Sequence, residues 1–281
     1  MKFYNAKEIL ELVGGHAVPA INANGASYDL ARAILEAADE LRSPIIVGEY
    51  EPNLAYRGYE YVAQLVSHLA EGLTVPVCIA LDHGKSETSA MRAVKAGFGH
   101  VMFDCAAAPM EENIARTNAL GRMVRPLGVT LEAEIGHIII SGEGGERAPV
   151  TPVEDVQAFL AEAEVDFLAV GVGSTHGIFE KQDTIDFDYI RKLRAVTDVP
   201  LVLHGTSGVS LEDITRCVEC GMRKINFGEA LRINYIRYFT ELAAGMNHEQ
   251  HAWRIMQEVK NRVKEDVKDI IRAVGSDGLL S

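Results

Sequence analysis

Positive charge is scarce in this chain of 281 residues: 27 lysines and arginines stand against 40 aspartates and glutamates, a formal net charge of −13. No basic stripe runs along the sequence, which argues against a nucleic-acid reader. Long hydrophobic runs are missing too. None approaches the roughly 20 apolar residues of a membrane span, and the polar N-terminus Met-Lys-Phe-Tyr-Asn-Ala-Lys-Glu lacks the apolar stretch of a signal peptide. A cytoplasmic protein with a small-molecule partner is expected. Cysteines number four. Cys78 and Cys105 fall in strand-like runs and read as small buried hydrophobes. Cys217 and Cys220 form a lone Cys-x-x-Cys with no second pair and no thioredoxin-like setting, and read as reduced packing cysteines. Nothing resembles a linker or a low-complexity tract, so one domain over residues 1–281 is expected.

What is present is a regular alternation. Apolar, β-rich runs occur near Val18–Asn24, Pro44–Glu49, Val75–Asp82, His100–Cys105, Val129–Gly136, Phe167–Val172, Val199–Gly205 and Lys224–Glu229. Between them the apolar positions take helical spacing, as at Leu30, Ile34, Ala37 and Ala38. Alternating strands and helices imply parallel βαβ units, and near-continuous apolar runs such as Val75–Leu81 suit strands covered on both faces. Eight units in one pass predict a closed (β/α)₈ barrel, with extra helices from about Glu249 to Val274. The competing doubly wound open sheet predicts fewer strands and chemistry at one switch point.

In such a barrel the chemistry lies at the carboxyl ends of the strands. Those ends supply Asn22 and Asn24, Glu49, Asp82 and His83, Asp104, Glu132 and Glu134, His176, His204, and Asn226 and Glu229. One histidine at a strand end is usually a satisfied hydrogen-bonder. Three of them, His83, His176 and His204, each beside a glycine, suggest a catalytic metal, because three protein ligands leave tetrahedral Zn²⁺ an open position for substrate. Asp82 could cap the following helix. Strand alternation would aim it differently from His83, which suits a proton-transfer group beside the metal. The other six histidines lack this context, and His248-x-x-His251 reads as a solvated helical face.

Leu81-Asp-His-Gly84, Glu132-Ala-Glu-Ile-Gly136, Gly173-Ser-Thr-His-Gly177, Leu203-His-Gly-Thr-Ser-Gly208 and Lys224-Ile-Asn226 together resemble the class II, zinc-dependent ketose-bisphosphate aldolases, over nearly the whole chain. The resemblance implies that His83, His176 and His204 hold Zn²⁺, with Glu134 as a carboxylate that joins or leaves the metal. The metal would polarise a substrate carbonyl and stabilise the enediolate formed as a carbon–carbon bond breaks, with Asp82 exchanging a proton with the hydroxyl that becomes the aldehyde. Gly177, Gly205 and Ser207 would meet a phosphate, in this family often beside a monovalent cation, Na⁺ or K⁺. Asn24, Asp104 and Asn226 would complete the substrate site. The substrate implied is a ketose phosphate such as fructose- or tagatose-1,6-bisphosphate, cleaved to dihydroxyacetone phosphate and an aldehyde. A homo-oligomer, dimer or tetramer, is the usual state.

Three departures stand out. Glu229 occupies the place of the family's phosphate-binding threonine, where a carboxylate repels a phosphate dianion. The loop after Gly136 differs, so that Glu143 or Glu146 could be the second catalytic group, and the sequence does not choose between them. Glu49-Tyr50 replace smaller polar residues, which predicts a more acidic pocket. Glu229 motivates an alternative, an aldolase for a non-phosphorylated or otherwise modified hydroxy-ketone. A metal-dependent hydrolase would share the three histidines but lacks a paired His-x-His on strand one. A non-catalytic sugar-binding barrel would not require Asp82 and Glu134.

Overall fold

The computed structural model of the chain describes residues 3–25, 27–136, 150–174, 185–245 and 251–280. Eight strands, β1 (Val18–Asn22), β2 (Ile45–Tyr50), β3 (Val77–Gly84), β4 (His100–Phe103), β5 (Thr130–Ile135), β6 (Phe167–Val170), β7 (Leu201–Leu203) and β8 (Met222–Phe227), pair in parallel and in sequence order. β8 returns to β1, with Val18 opposite Lys224 and Ala20 opposite Asn226, so the sheet closes and has no edge. Closure rules out the open sheet.

Helices cover the outside. They are α1 (Ala6–Leu12), α2 (Tyr28–Glu40), α3 (Glu51–Arg57), α4 (Tyr59–Leu69), α5 (Glu87–Ala96), α6 (Met110–Val124), α7 (Val153–Glu162), α8 (Phe187–Val196), α9 (Leu211–Cys220), α10 (Glu229–Ala244) and α11 (Ala252–Ala273). Local chemistry sets their ends. Ser86 and Ser210 accept backbone N–H bonds at N-termini, and Gly97 and Gly221 take the left-handed conformation that ends α5 and α9. None of these helices is long and apolar enough to cross a membrane.

Strand alternation separates two cores. One side of each strand packs beneath the helices. The other fills the barrel with Val18, Ala20, Ile46, Cys78, Ala80, Met102, Phe167, Ala169 and Val202, and α1 plugs the amino-terminal end with Ala6, Ile9 and Val13. Ile9 is fully buried, so its truncation to alanine would cost about 2–5 kcal/mol.

Several expectations need correction. Glu229 does not end β8; it opens α10, because Gly228 breaks the strand. His251 is the extended N-cap of α11 rather than part of a helical face. Cys105 lies past the end of β4, although it is buried as expected. Cys217 and Cys220 sit buried and unbridged on α9.

Candidate active site

The inward column of each strand follows from a period of two. Counting on from Ala20, Ala80, Met102 and Val202 brings Asn22, Asp82, Asp104 and His204 into the carboxyl-terminal mouth. On β5 the same column carries Glu132 and Glu134, and on β8 it carries Lys224 and Asn226. His83 should point outward, yet it too lines the mouth. Its φ is +51°, a left-handed backbone at the β3 register shift, and this turns the imidazole in beside Asp82. The expectation that alternation would separate Asp82 from His83 therefore fails for a local backbone reason.

A cavity of about 530 Å³ opens over these groups, lined by Asn24, Asp82, His83, Asp104, Glu134, His204, Gly205, Ser207, Asn226 and Glu229 among others. These sequence-selected residues therefore converge. Glu143, Glu146, His176 and Gly177 lie outside the described residues. Glu49 does not line the cavity. It sits one residue beyond the inward Gly48, faces the other way and accepts the Gly25 N–H at 2.7 Å, so the added acidity expected from it is absent. Tyr50 does line the cavity and meets the His83 ring edge-on.

Asp82 is clamped. Asn22 Nδ2 donates to Oδ2 at 2.8 Å and Asn226 Nδ2 to Oδ1 at 2.9 Å. Burial works against its charge, but His83 and His204 prevail and hold its pKa below the usual carboxylate value. Asn22 reaches Asp82 through a slot between two glycines: a Cβ on Gly48 would come within 2.7 Å of Asn22 Oδ1, and one on Gly228 within 3.0 Å of Nδ2.

Each described histidine of the mouth has a carboxylate behind it. Asp104 Oδ2 lies 2.7 Å from His83 Nδ1, and Glu132 Oε1 lies 2.8 Å from His204 Nε2. Burial alone would keep His83 neutral; Asp82, Asp104 and Glu134 outweigh it and push its pKa up to about 9. His204 goes the other way, lowered by burial despite Glu132. Such carboxylate–histidine pairs fix the tautomer and orientation of metal-binding imidazoles.

The donor set fits a metal ion. Asp82, His83 and His204, and likewise His83, Asp104 and Glu134, each bring ligand atoms within 4.8 Å of one another. Glu134 Oε2 is buried with no hydrogen-bond partner among the described residues, and burial raises the pKa of this carboxyl to about 8. Glu134 Oε2 stands 3.7 Å from His83 Nδ1, beyond hydrogen-bond reach, so a metal ion beside it would meet a buried oxygen that the described residues leave without a hydrogen bond.

Sequence reasoning missed three groups as parts of the site: Lys85, His100 and Lys224. Lys85 pairs with Asp104 at 2.5 Å, and Arg232 pairs with Glu229 at 2.9 Å; both line the cavity. Arg232, three residues on from Glu229 in a helix, is one of the two partners the sequence offers that carboxylate, and this pair forms; the other, Lys224, binds Glu132 instead. Beneath the mouth, His100, Glu132 and Lys224 form a buried polar layer, with Lys224 Nζ 2.8 Å from Glu132 and His100 Nε2 3.1 Å from it. The signal for Lys224 was its place two residues before Asn226, on the same strand face. His100 stands in the same relation to Met102 on β4.

A family model described as fructose-bisphosphate aldolase class-II matches residues 5–279. The chain belongs to this family. It is 33% identical over 287 residues to the fructose-bisphosphate aldolase of Geobacillus stearothermophilus, covering 99% of each. It is 31% identical over 288 residues to the sulfofructosephosphate aldolase of Alkalicoccus urumqiensis, covering 99% of this chain and 98% of that one. Among solved structures, the YdjI aldolase from Escherichia coli K12 matches with a TM-score of 0.87 at 27% identity, covering 99% of this chain and 100% of that one. The two sequence relatives carry different substrate names. Membership in the class II aldolases therefore fixes the reaction class and leaves the sugar open.

Proposed function

We propose that the protein is a zinc-dependent class II aldolase that reversibly cleaves a ketose phosphate, such as fructose- or tagatose-1,6-bisphosphate, into dihydroxyacetone phosphate and an aldehyde. The observation that carries this reading is Asp82, clamped by two asparagines at the floor of the cavity and held ionised chiefly by His83 and His204 beside it. A binding protein has no use for a clamped base there.

His83, His204 and Glu134 would hold the metal together with His176; with Asp104 on Nδ1, Nε2 is the nitrogen that His83 would offer. When bound, the metal supplies Lewis-acid polarisation of the substrate carbonyl. Asp82 accepts the proton of the hydroxyl that becomes the aldehyde, and Asn22 and Asn226 keep both carboxylate oxygens aimed while it does so. Ser207 and the Gly205 backbone face the phosphate end. Arg232 offsets Glu229 there, so a phosphate meets a neutralised pair rather than a bare carboxylate.

One observation favours a second reading, a non-phosphorylated hydroxy-ketone: Glu229 Oε2 stands 3.5 Å from Ser207 Oγ and competes for its hydrogen bond. Zinc-loaded and chelator-treated protein should be offered phosphorylated and free ketoses, with triose product measured by a coupled assay. Cleavage of a phosphorylated ketose by the zinc form alone is expected. Turnover confined to free ketoses would establish the second reading, and none with any ketose would reject both.

A further inference from the structure

We propose that Lys224 is a positioning residue that sets both halves of the reaction centre at once, His204 through Glu132 and Asp82 through Asn226. The proposal rests on the aldolase reading of the site above.

Lys224 is 1% exposed, and its ammonium lies 2.8 Å from Glu132 Oε2 and 2.6 Å from Asn226 Oδ1. Each of those contacts leads on to a group of the mouth. Glu132 holds His204 Nε2 with its other oxygen, at 2.8 Å, and Asn226 donates its amide to Asp82 at 2.9 Å. His100 Nε2 closes the layer on Glu132 Oε2 at 3.1 Å, with His100 Nδ1 2.8 Å from Thr130 Oγ1. The hydrogen-bonded route from His204 to Asp82 thus passes through one nitrogen, alongside a direct approach of His204 Nδ1 to Asp82 Oδ1 at 3.9 Å.

The chemistry of that nitrogen matters. An ammonium has three donors and no acceptor, whereas an amide has one acceptor end and one donor end. Facing Lys224, Asn226 can present only its oxygen, so its NH₂ must point at Asp82. Asp82 accepts only, so it too selects this orientation; without the cation the amide keeps one of its two anchors, its oxygen loses its donor, and the NH₂ is aimed at Asp82 from one side alone. On the other branch, the ammonium pins one oxygen of Glu132, which leaves the carboxylate a single orientation in which the second oxygen meets His204. β8 supplies Lys224 and Asn226 from one face, so backbone pairing keeps the two branches in register.

A plain structural role, in which Lys224 only neutralises Glu132, makes a different prediction. The double variant Lys224→Met/Glu132→Gln removes both charges together, and its metal-free melting temperature is expected near the parent's. Positioning then requires that Co²⁺ binding, measured by chelator competition, weaken about 10–100-fold relative to Glu132→Gln alone, which already alters the partner of His204, and that the visible cobalt bands shift. It also requires that kcat on the cleaved ketose fall at least about tenfold with KM little changed. Lys224→Gln keeps a donor in place and guards against a double variant that does not fold; it too should bind Co²⁺ at least about tenfold more weakly. Parental cobalt affinity and spectrum in folded Lys224→Gln, or those of Glu132→Gln in the folded double variant, would overturn the proposal. The metal measurements need no turnover, so a failure of the aldolase reading would show separately, as inactivity of the parent protein.

Discussion

Replacing Glu229 by threonine removes one negative charge from the end of the cavity where a phosphate would dock. Glu229 Oε2 is 3.5 Å from Ser207 Oγ, so a phosphate oxygen accepting from that hydroxyl would lie roughly 5 Å from the carboxylate. At that distance two unit charges repel by about 0.8 kcal/mol in water and about 3 kcal/mol at a dielectric of about 20. The side chain is 32% exposed, which favours the lower half of that range, and Arg232 at 2.9 Å cancels a further part. A net relief of about 1.4 kcal/mol remains, or about tenfold in kcat/KM for a ketose 1-phosphate. Arg232→Met should act in the opposite direction, raising KM for the phosphorylated substrate, because it leaves Glu229 uncompensated. The assay is steady-state cleavage of matched phosphorylated and free ketoses by parent and both variants, at fixed ionic strength since exposed charges are screened. Unchanged kcat/KM for the phosphorylated ketose in both variants would refute the reasoning and show that no phosphate docks beside Ser207.

Asp82→Asn keeps shape and polarity but loses the proton acceptor. It should retain metal through the histidines and Glu134 while cleavage falls about 10²–10⁴-fold; a near-parental rate would reduce Asp82 to a bystander. Lys260, Lys264 and Lys268 of α11 pair with Glu36 and Glu40 of α2. Glu36 has its pKa lowered despite partial burial, by Lys260 and Arg32, and Glu40 by Lys264 and Lys268. A lowered folded-state pKa contributes stability that is complete above the unfolded value of about 4.5 and fades as pH falls through the folded value, so melting temperature should drop between about pH 5 and pH 3. Glu36→Gln/Glu40→Gln should flatten that drop. Parallel melting curves against pH for parent and variant would sink the assignment to these pairs.

The eight strands and their order were legible because buried parallel strands write continuous apolar runs, and the glycine-marked turns after Asp82-His83 and His204 announce where the polar mouth begins. The convergence of Asp82, Asp104, Glu134, His204 and Asn226 was legible for the same reason, since strand period two carries each inward. Less legible were features set by backbone twist or by tertiary partners. His83 enters the mouth by a left-handed φ that a sequence does not print. Glu49 looked like a pocket carboxylate because its column depends on a one-residue register, and a slip of one reverses the face. Lys224 and His100 looked unremarkable because a buried lysine is intelligible only beside Glu132 on a strand three neighbours away around the ring.

Gly48 and Gly228 carry no functional group, yet the slot between them admits Asn22 to Asp82. A methyl at either position would push against the asparagine amide and leave the fold, the histidines and the phosphate end where they are. The resulting proteins should express, melt and bind metal like the parent while turning over poorly. In a random library scored for lost turnover, these two hydrogen atoms would behave like reactive groups. Adaptation of this barrel to another sugar is therefore steered towards the rim, around Tyr50, Lys85 and Arg232, where side chains can change size without reaching the asparagine beneath.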